Sequence, residues 1–453
     1  MSKFISLLFM MLFAVGASAQ SIQVVVDFED DMDTDQISII EDEYGIDLVQ
    51  NSPMFGKTKI MILDVDSSAL EKTLDSLRDI PEVENVGINA IFKIPEARSD
   101  ILLKADYGEP EGPFPNDPLF RKHQWNFKMV GAKKAWRSST GEGVIVAVID
   151  TGVSNGKGRF PRVPDLAQTD IVPGFNFVDD SADPSDGNGH GTHVAGTIAQ
   201  STNNGIGVAG LAYNAKIMPV KVLADEGWGT VADIAEGIIW AVDNGAHVIN
   251  LSLGGGGHSD LLESAVDYAR NNNVFVACAA GNAGKPVIEY PASYNSCMAI
   301  SSVGKAGELA FYSSYGEGQD SSHNGVFVAA PGGDQKADGQ EGGVWQDTIA
   351  SDNPEAHGYF PLQGTSMATP HVAAVAALVM SAMGPDSYDV SDVEDIISKT
   401  ATPKNDEFKY GAGIVNAEMA VKKASESSDS NIFELILGFM IGAVALSAVR
   451  LLD

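Results

Sequence analysis

Val144-Ile145-Val146-Ala147-Val148-Ile149-Asp150-Thr151-Gly152 is the stretch on which the fold turns. Its apolar residues run without polar alternation and are rich in β-branched side chains, which reads as a strand buried on both faces. Strands of that kind belong to parallel sheets with helices on either side. Outward from it, residues 193–200, 216–222, 231–243, 247–253, 261–272 and 274–280 alternate strand-like and helix-like runs. That βαβ alternation predicts an α/β fold, a doubly wound, mostly parallel sheet. Asp150 would then lie at the carboxyl end of a strand, where ligands and catalytic groups gather.

Two further motifs carry chemistry. His190 lies in Gly189-His190-Gly191-Thr192-His193-Val194-Ala195-Gly196-Thr197, and Ser366 in Gly364-Thr365-Ser366-Met367-Ala368-Thr369-Pro370-His371-Val372-Ala373. Both open apolar, Ala-rich runs that read as helices, 194–199 and 372–380. Pro370 is expected in the first turn of its helix, where amide donors have no helical acceptor. A serine hydroxyl is a poor nucleophile until a base takes its proton. Imidazole suits that task near neutral pH, and a buried carboxylate fixes its tautomer and stabilises its cation. His190 is the candidate base, Asp150 the orienting acid and Ser366 the nucleophile. Asn282, in Ala279-Ala280-Gly281-Asn282 after the strand-like run 274–278, is a candidate oxyanion donor together with the Ser366 amide. His190 and His193 could instead suggest a metal pair, but no His-Glu-x-x-His pattern occurs. No Gly-x-Ser-x-Gly elbow surrounds Ser366.

With these four motifs in the order Asp, His, Asn, Ser, the chain resembles the subtilases, the subtilisin-like serine proteases, from Asn116 to Val421. The resemblance implies a serine endopeptidase acting on polypeptide substrates. A pseudo-protease that binds peptides without turnover is the competing reading, and the intact motifs speak against it. The substrate is expected as an extended strand along Ser252, Leu253 and Gly254, with Ala280 and Gly281 as a pocket wall. Glu289 matches a position at the pocket base and would favour a basic or long side chain before the scissile bond; a surface-turned Glu289 is the alternative. The resemblance also implies structural Ca2+, held by Asp117, Asp165, the Asn204 side chain and the carbonyls of Thr202, Ile206 and Val208. Asp179 and Asp183 lie in an acidic loop that either holds a second calcium or is simply solvated.

Residues 20–96 form a separate unit. Runs at 22–28, 34–43, 46–50, 57–64, 68–79 and 83–94 read as βαββαβ, a ferredoxin-like α+β fold. Between a signal segment and a subtilase domain it resembles the inhibitory propeptide, which helps the enzyme fold and places its carboxyl tail in the cleft. Residues 97–115, rich in Pro, Gly and acid, read as a cleavable linker, and 116–424 as the peptidase domain.

Residues 1–19 combine Lys3, an apolar run at 4–15 and Ala17-Ser18-Ala19, the pattern of a secretory signal. The mature protein is therefore expected outside the cytoplasm: extracellular, periplasmic or tethered to a membrane. Residues 425–431 read as a polar linker. The apolar segment 432–450 is near the length of a membrane span, and a docked helix or processed tail is the alternative. The 453 residues carry a formal net charge of −32, which excludes nucleic acid as a natural partner. Export permits a disulfide between Cys278 and Cys297, although two buried free thiols are the expectation.

Overall fold

The computed structural model describes residues 21–94, 114–316, 325–385 and 387–426. The signal segment, nearly all of both linkers and the apolar segment 432–450 lie outside the described residues.

Seven parallel strands form the central sheet, in the order Val328–Pro331, Met298–Val303, Phe275–Ala279, Val248–Leu251, Ile145–Asp150, Lys216–Lys221 and Phe175–Asn176. From Ile145–Asp150 the chain builds first toward the Phe175–Asn176 edge. It then returns through Val248–Leu251 and builds the opposite way. The switch point therefore lies between Ile145–Asp150 and Val248–Leu251, and the residues after their carboxyl ends border the crevice where such sheets bind ligands. Val146, Ala147, Val148 and Ile149 are all fully buried, as a strand covered on both faces requires. One face packs against a core shared with the helices His190–Ala199 and Thr365–Met383. The other is covered by Val231–Asp243 and Asp260–Asn271. Thr365–Met383 is apolar nearly all round because it is a core helix, 83% buried over its most apolar window.

The expected placement of Pro370 needs correction. It is the sixth residue of its helix, past the first turn. Its missing N–H would deprive the Ser366 carbonyl of a helical donor. The Ser252 hydroxyl takes that place, donating to the Ser366 carbonyl at 2.9 Å.

The amino-terminal unit is an antiparallel sheet in the order Val49–Gln50, Ile60–Asp66, Ser21–Phe28 and Val83–Ile88, with helices Thr34–Tyr44 and Leu70–Arg78. This is the ferredoxin-like order, with an added helical turn at Phe55–Thr58. The expectation of one strand over 83–94 fails. The run breaks at Asn89-Ala90, where Asn89 accepts from the Ala232 amide at 3.1 Å and the Ala90 carbonyl accepts from Val231. Beyond the break, Ile91–Lys93 pairs antiparallel with Gly254–Gly255 on one side and Trp228–Thr230 on the other. Sheet pairing to a different partner overrides the local strand pattern.

Cys278 and Cys297 form a disulfide, not the two free thiols expected. Cys278 lies in Phe275–Ala279 and Cys297 directly precedes the neighbouring strand Met298–Val303. Their Cα atoms stand 5.9 Å apart, a normal bridging distance. Burial, from which free thiols were read, does not distinguish the two states.

Candidate active site

Asp150 is fully buried at its strand end. Its Oδ1 accepts from the Thr151 amide at 2.7 Å and meets His190 Nδ1 at 2.8 Å. The imidazole thereby presents Nε2 away from the carboxylate. That nitrogen is buried and makes no hydrogen bond to the described residues.

The loop that aims His190 depends on a residue the sequence reading missed. Asp186, fully buried, accepts the Thr151 hydroxyl at 3.0 Å and the Asn188 and Gly189 amides. Its other oxygen accepts the Thr192 amide and hydroxyl. One carboxylate thus ties the turn after Asp150 to the start of the helix His190–Ala199. The Asp186-Gly187-Asn188 turn just before that helix was the available signal. Gly191 is required by close approach: a Cβ there would stand 2.2 Å from the Gly152 carbonyl oxygen.

Ser366 is the second residue of Thr365–Met383, so its amide lacks a helical acceptor. Its hydroxyl donates to the Ser252 carbonyl at 3.0 Å, and Ser252 returns a bond to the Ser366 carbonyl. Asn282 is oriented by Thr365, whose amide and hydroxyl each donate to Asn282 Oδ1 at 2.9 Å. This fixes which side of the amide is oxygen. Asn282 Nδ2 is left buried without a protein partner, 3.3 Å from where a Cβ on Gly364 would lie.

The predicted substrate rail runs through Ser252, Leu253 and Gly254, and Gly254–Gly255 holds the strand Ile91–Lys93. The strand Trp228–Thr230, which pairs with its other side, was not foreseen. Gly227 and Gly229 around Trp228 were its sequence signal. Glu289 is half-buried between the two predicted walls. A Cβ on Gly281 would be 2.5 Å from its Cδ, and one on Gly254 would be 2.9 Å from its Oε2. Burial pushes its carboxyl above the usual range, partly offset by the Asn282 amide.

His193 lies in the core. It is fully buried, and its Nε2 donates to the Val344 and Phe360 carbonyls at 3.0 and 3.1 Å. Burial lowers its pKa to about 3, so it stays neutral.

Asp117 and Asp165 are both buried beside the loop 202–208. Asp117 accepts the Asn203 and Asn204 amides, while Asp165 accepts Asn204 Nδ2 at 2.7 Å and the Val208 amide at 2.9 Å. Burial raises Asp117 to about 6 and Asp165 well above its ordinary value. The charged groups acting on Asp165 are Asp347 and Asp117, both acidic. Two buried carboxylates in an acid-rich setting fit a hard cation, but the expected Asn204 ligand needs correction: its Nδ2 faces Asp165, while its oxygen accepts the Ile206 amide at 3.0 Å. Asp179 and Asp183 already have protein partners: Asn176 Nδ2 bonds Asp179 at 3.2 Å, and Asp183 accepts the Ser185 amide of its own loop and the Arg159 amide of a distant one. Among the described residues, the one trio of His, Asp and Glu side chains close enough to share an ion is His258, Asp260 and Glu263, largely exposed.

The model of the subtilase family matches residues 141–413. Thermitase from Thermoactinomyces vulgaris is 40% identical over 309 residues, 68% of this chain and 99% of that protein. The thermophilic serine proteinase of Bacillus sp. strain AK1 is 35% identical over 401 residues, 87% of this chain and 86% of its own. A solved protease from Pseudoalteromonas arctica superposes with a TM-score of 0.61 at 38% identity, covering 69% of this chain and 99% of that one. The chain belongs to the subtilase family and is a subtilisin-like serine endopeptidase.

Proposed function

We propose that Ser366 is the nucleophile, His190 the general base and Asp150 the group that orients it. The Ser366 hydroxyl leaves the Ser252 carbonyl, passes its proton to His190 Nε2 and attacks the scissile carbonyl carbon. The oxyanion accepts hydrogen bonds from Asn282 Nδ2 and the Ser366 amide. The peptide C–N bond breaks as His190 returns the proton to the departing amine. Water then attacks the acyl-enzyme by the same path, and Ser366 regains its proton. The Asn282 orientation carries this reading: both Thr365 donors face Oδ1, leaving a preset, buried N–H beside the nucleophile. A fluorophosphonate probe should label the mature protein and fail to label Ser366→Ala. Absence of labelling in the parent would favour a peptide-binding protein without turnover.

The substrate backbone takes the place that Ile91–Lys93 holds between Gly254–Gly255 and Trp228–Thr230. Residues 20–96 therefore act as the propeptide, inhibiting in cis until cleaved within the linker. Glu289, between the pocket walls, favours a basic or long side chain before the scissile bond. Equal kcat/KM for Phe and Lys peptides, unchanged in Glu289→Gln, would sink that assignment.

A structural calcium would be held by Asp117, Asp165 and the loop carbonyls of Thr202, Ile206 and Val208, with Asn204 contributing once its side-chain oxygen turns from the Ile206 amide; it would balance buried negative charge. The chain is exported through residues 1–19 and tethered by 432–450.

A further inference from the structure

We propose that the catalytic domain carries a cationic face that docks on an anionic phospholipid surface, beside the point where the tether leaves the fold. This rests on the reading of 432–450 as a membrane anchor.

The chain holds 61 acidic and 29 basic residues. Against that excess, no acidic residue occurs between Asp117 and Glu142, whereas Arg121, Lys122, Lys128, Lys133, Lys134 and Arg137 all do. All six are exposed. Five of them line one open cavity of about 570 Å³, with Trp125 and Met129 in its wall and Asn416 and Glu418 closing one side. Trp125 is half-buried and its indole N–H donates inward to the Gly343 carbonyl at 3.0 Å, so the face acts through charge.

The face continues toward the carboxyl end. Residues 417–426 are helical. Glu418 pairs with Lys134 at 2.9 Å, which places that side of the helix against the cationic segment. Lys422 lies one turn further along on the same side, exposed, with Lys423 next to it. After residue 426, five residues lead to the apolar run at 432, a reach of about 20 Å when extended. The tether thus keeps this face close to any bilayer it enters.

Charge complementarity selects the occupant. A cation near an anionic bilayer gains about fivefold in partition, over a range of about 10 Å. The remaining surface, strongly acidic, is repelled by the same lipids. The domain is then oriented, with one face toward the membrane, and does not tumble freely on its tether.

The test is flotation of the chain ended after Ser430, which lacks the apolar run and so reports the face alone, carrying Ser366→Ala to prevent self-digestion. The vesicles are phosphatidylcholine alone or phosphatidylcholine mixed with phosphatidylglycerol. Expected is partition at least about tenfold greater into the anionic vesicles, suppressed by high salt. Lys122→Glu, Lys128→Glu and Lys133→Glu together should remove the preference. The corresponding Gln variant should reduce it at least about fivefold, and serves if charge reversal impairs folding. Equal partition of the parent into both vesicles, or a preference that survives both variants, overturns the proposal. Flotation of the full chain with neutral vesicles reads the anchor separately, so its failure is not confused with failure of the face. If the variants lose affinity for soluble polyglutamate but keep it for anionic vesicles, the occupant is an acidic polypeptide and the membrane assignment is wrong.

Discussion

Phe92 fills a space that Gly256 leaves open: a Cβ on Gly256 would stand 2.2 Å from Phe92 Cε2. Phe92 is fully buried there, although it belongs to the amino-terminal unit. Truncating a buried Phe to Ala costs about 3–5 kcal/mol, so Phe92→Ala should weaken inhibition by the unit roughly 10²-fold. Activity should then appear with a shorter lag during maturation. Gly256→Val should produce the same loss from the other side, since it also needs φ +62. Unchanged lag in both variants would show that the strand does not hold the unit in the cleft.

The contact between the two units should loosen as pH rises. Asp233 accepts from Asn51 Nδ2 at 3.2 Å, and Glu236 accepts from Asn51 and from the Thr58 hydroxyl. Burial raises Asp233 to about 6 and Glu236 above its usual value. Raised carboxyl values mean that the docked state binds protons. Its stability is therefore fully present below the ordinary value of 3.8 and is lost as pH rises through about 6. Dissociation of the cleaved unit, followed by recovered activity, should quicken over that window, and Asp233→Asn should flatten the dependence.

Removing the oxyanion donor should slow chemistry and leave substrate binding nearly intact. Asn282→Ala is expected to reduce kcat by about 10²–10³ with little change in KM. Thr365→Val, which deletes one of the bonds to Asn282 Oδ1, should lower kcat less, because the Thr365 amide still orients the side chain. A Thr365→Val effect confined to KM would contradict this role.

Chelation should lower the melting temperature, because Asp117 and Asp165 would be left buried without balancing charge. Asp165→Asn removes one of those charges. Its melting temperature should respond less to chelator than that of the parent, as calorimetry with and without EDTA would reveal.

The disulfide closes a loop of 19 residues, worth about 3 kcal/mol of stability on chain-entropy grounds. Cys278→Ala with Cys297→Ala should lower the denaturation midpoint accordingly. Because the bridge begins four residues before Asn282, kcat should fall as well if it also steadies that turn.

Much of the fold was legible because short windows encode it. The strand before Asp150 and the helices after His190 and Ser366 each announce themselves within about ten residues. The residues flanking Phe92 did not. Val83 to Ile94 reads as one strand by pattern, yet its second half pairs with segments more than 130 positions away. Trp228–Thr230 and Asp186 were missed for the same reason: their importance lies in distant partners.

From sequence came the chemistry, namely an acid, an imidazole and a hydroxyl in local settings suited to a strand end and two helix starts. Tertiary structure decided which atoms face one another. It turned Asn282 so that nitrogen, not oxygen, is presented, joined Cys278 to Cys297, and set Glu289 between Gly254 and Gly281. Backbone preference is a property of neighbours along the chain, whereas orientation and protonation follow from neighbours in space, and only packing brings those together.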